Sequence, residues 1–198
     1  MSSGPGDAER FEPASVAEWR AWLAANHARR AGVWLVTRKV SAGGPQVGYA
    51  ESVEQALCFG WIDSTGRALD DERRMLWFAR RKPRSGWSRS NKQRIERLLA
   101  AGLMEPAGLA LIEAAKADGS WTLLDAVEDL LVPDDLAAAL DAHPGARENW
   151  EAFPPSARRA LLEWIVQARR PDTRARRIAE TAEHAARNER ANQWRPKP

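Results

Sequence analysis

The sequence predicts an α+β protein: a small mixed or antiparallel sheet with packed helices in the N-terminal half, followed by a helical C-terminal half. Three observations carry this expectation. The β-branched and aromatic runs that read as strands all lie before Pro83. Helical spacing of apolar residues separates those runs, and beyond Pro83 the pattern is helical, punctuated by proline and glycine.

Element by element, Ser15-Val16-Ala17-Glu18 has the spacing of a capping box, in which the Ser15 hydroxyl and the Glu18 carboxylate each accept from an orphan N–H. Val16, Trp19, Trp22 and Leu23 then recur at helical intervals, which predicts a helix to about His27, ended by Gly32. Val33-Trp34-Leu35-Val36-Thr37 reads as a buried strand. After a loop over 41–45, Val53, Ala56 and Leu57 define a short helix from about Glu51 to Phe59, with Gly60 as its stop. Trp61–Ser64 and Met75–Phe78 read as two strands joined by a polar connection that contains Gly66. Ser88 or Ser90 caps a helix running to Gly102, and Pro106 and Gly119 bracket the next. Pro133, Pro144 and Pro154-Pro155 punctuate further helices. One of these puts Ala160, Leu161, Trp164, Ile165 and Ala168 on a single face. Asp172 is placed to cap the last helix, which frays into Gln193–Pro198. The domain organisation expected is a disordered tail over 1–10, an α+β domain over 11–120, a helical region over 121–190 and a disordered tail over 191–198.

Charge is arranged in blocks. Residues 73–97 hold 10 basic side chains against the single acid Glu96, while 98–157 hold 2 basic and 11 acidic. Either the acidic middle neutralises its basic neighbours within the fold, or an anion-binding surface is left over. The lone cysteine, Cys58, excludes an intrachain disulfide and a Cys-rich zinc site. No apolar run approaches the roughly 20 residues of a membrane span, and the polar N-terminus lacks the apolar stretch of a secretory signal. A cytoplasmic location is expected. Phosphate-binding glycine patterns are missing and His27, His143 and His184 are far apart, so neither a cofactor nor a metal is expected.

The stretch from Gly60 to Lys92 carries the candidate site. Strand alternation puts Trp61 and Asp63 on one face and Ile62 on the other. Arg81 ends the neighbouring strand, and Trp87, Ser88 and Asn91 stand where a helix begins and backbone N–H groups favour anions. Arginine beside tryptophan and a helix start is what a carboxylate, phosphate or sugar-phosphate pocket requires. The alternative is structural: an Asp63–arginine pair, with the tryptophans filling the interface between sheet and helices. Cys58, among Ala56, Leu57 and Phe59, reads as a small buried apolar residue rather than a nucleophile.

Three functions follow from this site, in order of preference. The first is a soluble protein that binds a small anionic or peptidic ligand through Trp61, Asp63, Arg81, Trp87, Ser88 and Asn91. The second is nucleic-acid binding through the basic segments 73–97 and 158–195. The third is an enzyme with Asp63 as base and Arg81 as oxyanion partner.

Longer motifs point to a family. Phe11-Glu12-Pro13, Trp19-Arg20-Ala21-Trp22-Leu23 and Gly32-Val33-Trp34-Leu35 open the pattern. Glu54-Gln55-Ala56-Leu57-Cys58-Phe59-Gly60-Trp61-Ile62-Asp63-Ser64, followed by Arg80-Arg81-Lys82-Pro83-Arg84-Ser85-Gly86-Trp87-Ser88 and Asn91-Lys92, form its centre. Ser156-Ala157-Arg158-Arg159, Trp164-Ile165 and Thr173-Arg174-Ala175-Arg176-Arg177-Ile178 close it. Together these resemble the YdeI/OmpD-associated family over about residues 11–185. The resemblance implies an α+β N-terminal part, a helical C-terminal part and a link by name to bacteriocin protection.

Overall fold

Strand-forming sequence is concentrated between residues 33 and 80, and there the chain builds its sheet. The computed structural model describes residues 8–192, so most of each expected tail, including the expected fraying over 193–198, lies outside the described residues. The chain divides into two units. The first consists of the residues up to Ser85 together with Ser90–Asp118; the second consists of Gly86–Arg89 and the residues from Gly119 onward.

In the first unit the order is β1 (Arg10–Phe11), α1 (Val16–Asn26), β2 (Val33–Arg38), α2 (Tyr49–Cys58), β3 (Trp61–Ala68) and β4 (Arg73–Arg80). The helices α3 (Arg89–Ala100), counted here from Ser90, and α4 (Pro106–Ala117) complete it. The four strands form a mixed sheet in the order β1-β2-β4-β3, with β1 parallel to β2 and the other pairs antiparallel. This is the α+β arrangement the sequence predicts, with the sheet in the N-terminal half and helices after it. The start of α1 is also as predicted: Ser15 Oγ accepts from the Glu18 N–H at 3.2 Å, although the Glu18 carboxylate takes the N–H of Ala14 rather than that of Ser15.

Tryptophan fills both faces of the sheet. On the helix-covered face, Trp19 of α1 meets Phe78 at 5.3 Å between ring centroids, and Trp22 meets Trp61 edge-on at 5.8 Å. The indole N–H groups are satisfied in place, Trp19 donating to Ser52 O and Trp61 to His27 O. On the other face Trp34, Val36 and Met75 cluster with Ala8, Leu69 and Trp77. A buried tryptophan removes on the order of 200 Å² from water, about 5 kcal/mol of gross transfer free energy, so these rings dominate the core of the unit.

One expectation for the hairpin is corrected, and one strand is added to the sheet. Gly66 does not lie in the connection; β3 runs through it to Ala68, and a bulge between Asp63 and Gly66 absorbs one extra residue. The connection is residues 69–72, closed by Asp70, whose Oδ1 accepts from the N–H groups of Glu72 and Arg73. β1 was not predicted, because two residues carry no local strand signal; they are drawn into the sheet by the edge of β2, where the Trp34 N–H donates to Glu9 O.

The second unit contains α5 (Asp125–Glu128), α6 (Asp134–Asp141), α7 (Ala146–Ala152), α8 (Pro155–Val166) and α9 (Pro171–Ala186) around a core that includes Leu136, Leu140, Trp150, Ile165 and Ala182. The inward face of α8 is Leu161, Leu162 and Ile165; Ala160 is exposed, so the predicted face is rotated by about one position. Asp172 is not the cap of α9. Arg170 holds the extended cap position, Pro171 occupies the first turn, and Asp172 complements the helix dipole from within it. Among the described residues no helix is long and apolar enough to cross a membrane.

Candidate functional site: a cationic cleft in the first unit

The six residues singled out in the sequence are distributed over both units: Trp61, Asp63, Arg81 and Asn91 belong to the first, Trp87 and Ser88 to the second. Trp61 is fully buried and its one donor is spent on His27 O at 3.0 Å. Asp63 Oδ2 accepts from the Tyr49 hydroxyl at 3.1 Å. Arg81 is buried, 8% exposed; its N–H donates to Gly60 O, its Nη2 donates to Ser85 O at 3.3 Å, and burial lowers the guanidinium to about 10. Trp87 is buried and meets the Trp121 ring at 5.1 Å. Asn91 Oδ1 accepts from Arg94 Nη1 at 3.0 Å. Arg81 follows Arg80, the residue that stands opposite Trp61, and its N–H donates to the carbonyl of Gly60 beside Trp61, while Asp63 is placed with Tyr49.

Cys58 ends α2 completely buried, and burial pushes its thiol up against the smaller opposing pull of Arg20. Among the described residues there is no group of three or more His, Cys, Asp or Glu side chains that could hold a metal ion.

Part of the basic charge is held in ion pairs within each unit. In the first, Arg73 pairs with Asp70 and Glu12, and Arg97 pairs with Glu54. In the second, Arg89 pairs with Asp129, Arg159 with Glu128 and Glu163, and Arg174 with Asp135.

Three of the cations outside these ion pairs border one cleft. Lys39, Arg67 and Arg74 have no carboxylate partner among the described residues, and all three border a cleft of ≈ 470 Å³ in the first unit. Its remaining wall is Tyr49, Gly66, Ala68, Met75 and Leu76. Antiparallel register builds the floor: Gly66 stands opposite Leu76, Arg67 opposite Met75 and Ala68 opposite Arg74. Lys39 follows β2, and Tyr49 opens α2, where Glu51 Oε2 accepts from the Gly48 N–H at 2.9 Å and fixes the start of the helix. Arg67 borders the cleft from β3, while its guanidinium carbon lies 4.5 Å from the Trp34 ring on the Met75 side of the sheet, leaving Lys39 and Arg74 as the nearer cations for a ligand. The Tyr49 phenol, tied to Asp63, is raised above its ordinary value first by burial and then by the neighbouring carboxylate. A volume of this size, apolar in its walls and cationic at its rim, suits a small molecule with an anionic end.

Sequence reasoning missed this cleft because its residues are not contiguous. Gly66 would have been a local signal had its place inside β3 been legible, since an isolated glycine in a strand marks a bulge or a close approach of another group.

Fold and site together define a two-unit α+β protein with a tryptophan-packed mixed sheet and a cationic cleft in its first unit. The chain belongs to the family described as Domain of unknown function (DUF8412), whose model matches residues 11–111. Residues 129–188 match the family described as Bacteriocin-protection, YdeI or OmpD-Associated. The resemblance read from the sequence is thus found in the helical part, while the central motifs around Glu54–Ser64 and Arg80–Ser88 fall within the other match. Neither the curated proteins nor the solved structures compared with the chain give a match.

Proposed function

We propose that the first unit is a binding module for a small amphiphilic anion, held in the cleft between β3–β4 and the start of α2. The observation that carries this reading is that Lys39, Arg67 and Arg74, which have no carboxylate partner among the described residues, all border one apolar cleft. A guanidinium at the mouth of an apolar cleft favours carboxylate, sulfonate or phosphate oxygens. A peptidic ligand would enter through its C-terminal carboxylate or an acidic side chain. Asp63 keeps a part in this reading as the anchor of Tyr49. Nucleic-acid binding loses support from the pairing of Arg73, Arg89 and Arg97, and an Asp63–Arg81 catalytic pair loses support from their separate partners, Tyr49 and Ser85.

The test is calorimetric titration with 1-naphthoate and octanoate, and with duplex DNA at two salt concentrations. Saturable one-to-one binding of either carboxylate is expected. Because a charge-assisted hydrogen bond contributes about 1.5–3 kcal/mol, Arg74→Ala should weaken it roughly tenfold or more. Arg74 is exposed, so its loss should leave the unfolding temperature unchanged. Absence of carboxylate binding, or affinity indifferent to Arg74, refutes the reading; DNA binding that weakens steeply with salt would support the nucleic-acid alternative instead.

A further inference from the structure

Gly66 interrupts a strand, and a glycine there weakens it unless something requires the missing side chain. Two kinds of requirement operate in this unit. Gly60 has φ +77, in the left-handed region, and at Gly32 an added Cβ would sit 2.3 Å from Trp77 Cζ2. Gly66 meets neither. Its φ lies outside the left-handed region, so the bulge at Asp63/Gly66 is not the kind that needs glycine. A Cβ built on it would stand 3.6 Å from Leu76 Cδ1 and 3.8 Å from Met75 O, ordinary contact distances. The fold would accept alanine at this position, with a gain from the reduced freedom of the unfolded chain.

What a side chain at 66 would remove is space in the cleft. Gly66 forms part of its wall, directly across the strand pair from Leu76, and the direction of the missing Cβ is towards that leucine. A peptide unit without a Cβ is a flat surface on which a planar ring can rest at van der Waals distance. One methyl would hold the ring away or force it to tilt. The strand β3 is also the sheet edge, with no strand beyond it among the described residues, so the backbone at Gly66 is exposed to whatever enters.

We propose that Gly66 is the specificity-determining position of the cleft, and that it selects a planar aryl anion. The ring lies flat on the exposed Gly66 backbone and is flanked by the Leu76 side chain, with its anionic group towards the cations that line the cleft. This rests on the reading of the cleft as an anion site and adds the shape of the ligand.

The experiment measures wild type, Gly66→Ala and Gly66→Leu by thermal unfolding and by calorimetric titration with 1-naphthoate and octanoate. Gly66→Ala should unfold at or above the wild-type temperature. Its affinity for 1-naphthoate should fall about tenfold, the scale on which one methylene is discriminated in a pocket, while octanoate, which can bend around a methyl, should lose less. Gly66→Leu should abolish 1-naphthoate binding. Should Gly66→Leu fail to fold, Gly66→Ala still decides the matter. If wild type binds both carboxylates and Gly66→Ala weakens them equally or not at all, the selectivity role is overturned and the anion site survives. If wild type binds neither, the anion site itself is overturned, and the role of Gly66 with it.

Discussion

Replacing Gly108 by alanine sets two physical effects against each other, and the structure decides which prevails. In the interior of α4, alanine is the better helix former by about 1 kcal/mol. A Cβ at 108, however, would stand 2.3 Å from the carbonyl oxygen of Cys58 and 2.9 Å from that of Leu57. Both are backbone atoms in the last turn of α2, so neither can rotate away. The Cys58 carbonyl is also fixed by the Glu105 N–H, which donates to it at 3.1 Å from the residue before α4. To reach ordinary contact α4 must retreat by roughly 1 Å, straining that bond and loosening the packing; overpacking of this kind costs about 1–3 kcal/mol. With backbone on both sides the upper end applies, and after the helix-propensity gain the net destabilisation is about 2 kcal/mol. That corresponds to a fall of about 4–8 °C in Tm for a chain of this size. Calorimetric and urea unfolding, followed by tryptophan fluorescence, measure it. Gly66→Ala serves as the control, the same change at a position where the Cβ has room. A Gly108→Ala protein with a raised Tm would show that helix propensity prevails and that the α2–α4 approach is not close.

Two further outcomes are expected. Glu128 accepts from Arg159 at 2.9 Å, and that bond, ahead of the opposing effect of burial, holds its carboxyl below the ordinary value. A depressed carboxylate contributes stability that is present above its unfolded pKa and lost as pH falls through the folded one. The urea midpoint should therefore drop on acidification below about pH 5, and Glu128→Gln should flatten that slope by about 1 kcal/mol, a modest figure because the partner Arg159 is partly solvated; an unchanged slope counts against the pair. Tyr49 is the single tyrosine of the chain, so phenolate absorbance reports it alone. Its midpoint should lie above 10.0 and move down in Asp63→Asn, which removes the second cause of the shift, and an unmoved midpoint would mean that the Tyr49–Asp63 bond does not form in solution.

Elements with a strong period and a clear cap were legible in the sequence. The Ser15 cap, the apolar run of β2 and the left-handed stop at Gly60 are each written within a few neighbouring residues, and each stands where it was expected. Elements set by partners were not. β1 exists because the edge of β2 accepts it, and the length of β3 and β4 depends on Asp70 closing a tight turn that lets pairing continue to Ala68 and Arg74. The face of α8 was misplaced by one position because Leu161 and Leu162 are adjacent, and periodicity alone cannot say which alanine shares their side.

The site shows the same division between local and distributed information. Conspicuous side chains crowd Gly60–Lys92, yet a tryptophan with a buried ring and a satisfied N–H is core material, and Trp61 is of that kind. Charge density was misleading for a related reason: a block of arginines in sequence says nothing about where its counter-charges will fold, and Glu12 reaches Arg73 from 61 residues away. The informative cations are those that border an apolar cleft without a carboxylate beside them, and these can be identified only once register has placed Arg67 and Arg74 on opposite strands of one hairpin and α2 has brought Tyr49 to the same cleft. Binding capacity in this unit is therefore a property of incomplete neutralisation beside an open apolar wall. It follows that adding a carboxylate at the rim should silence the cleft as effectively as removing an arginine.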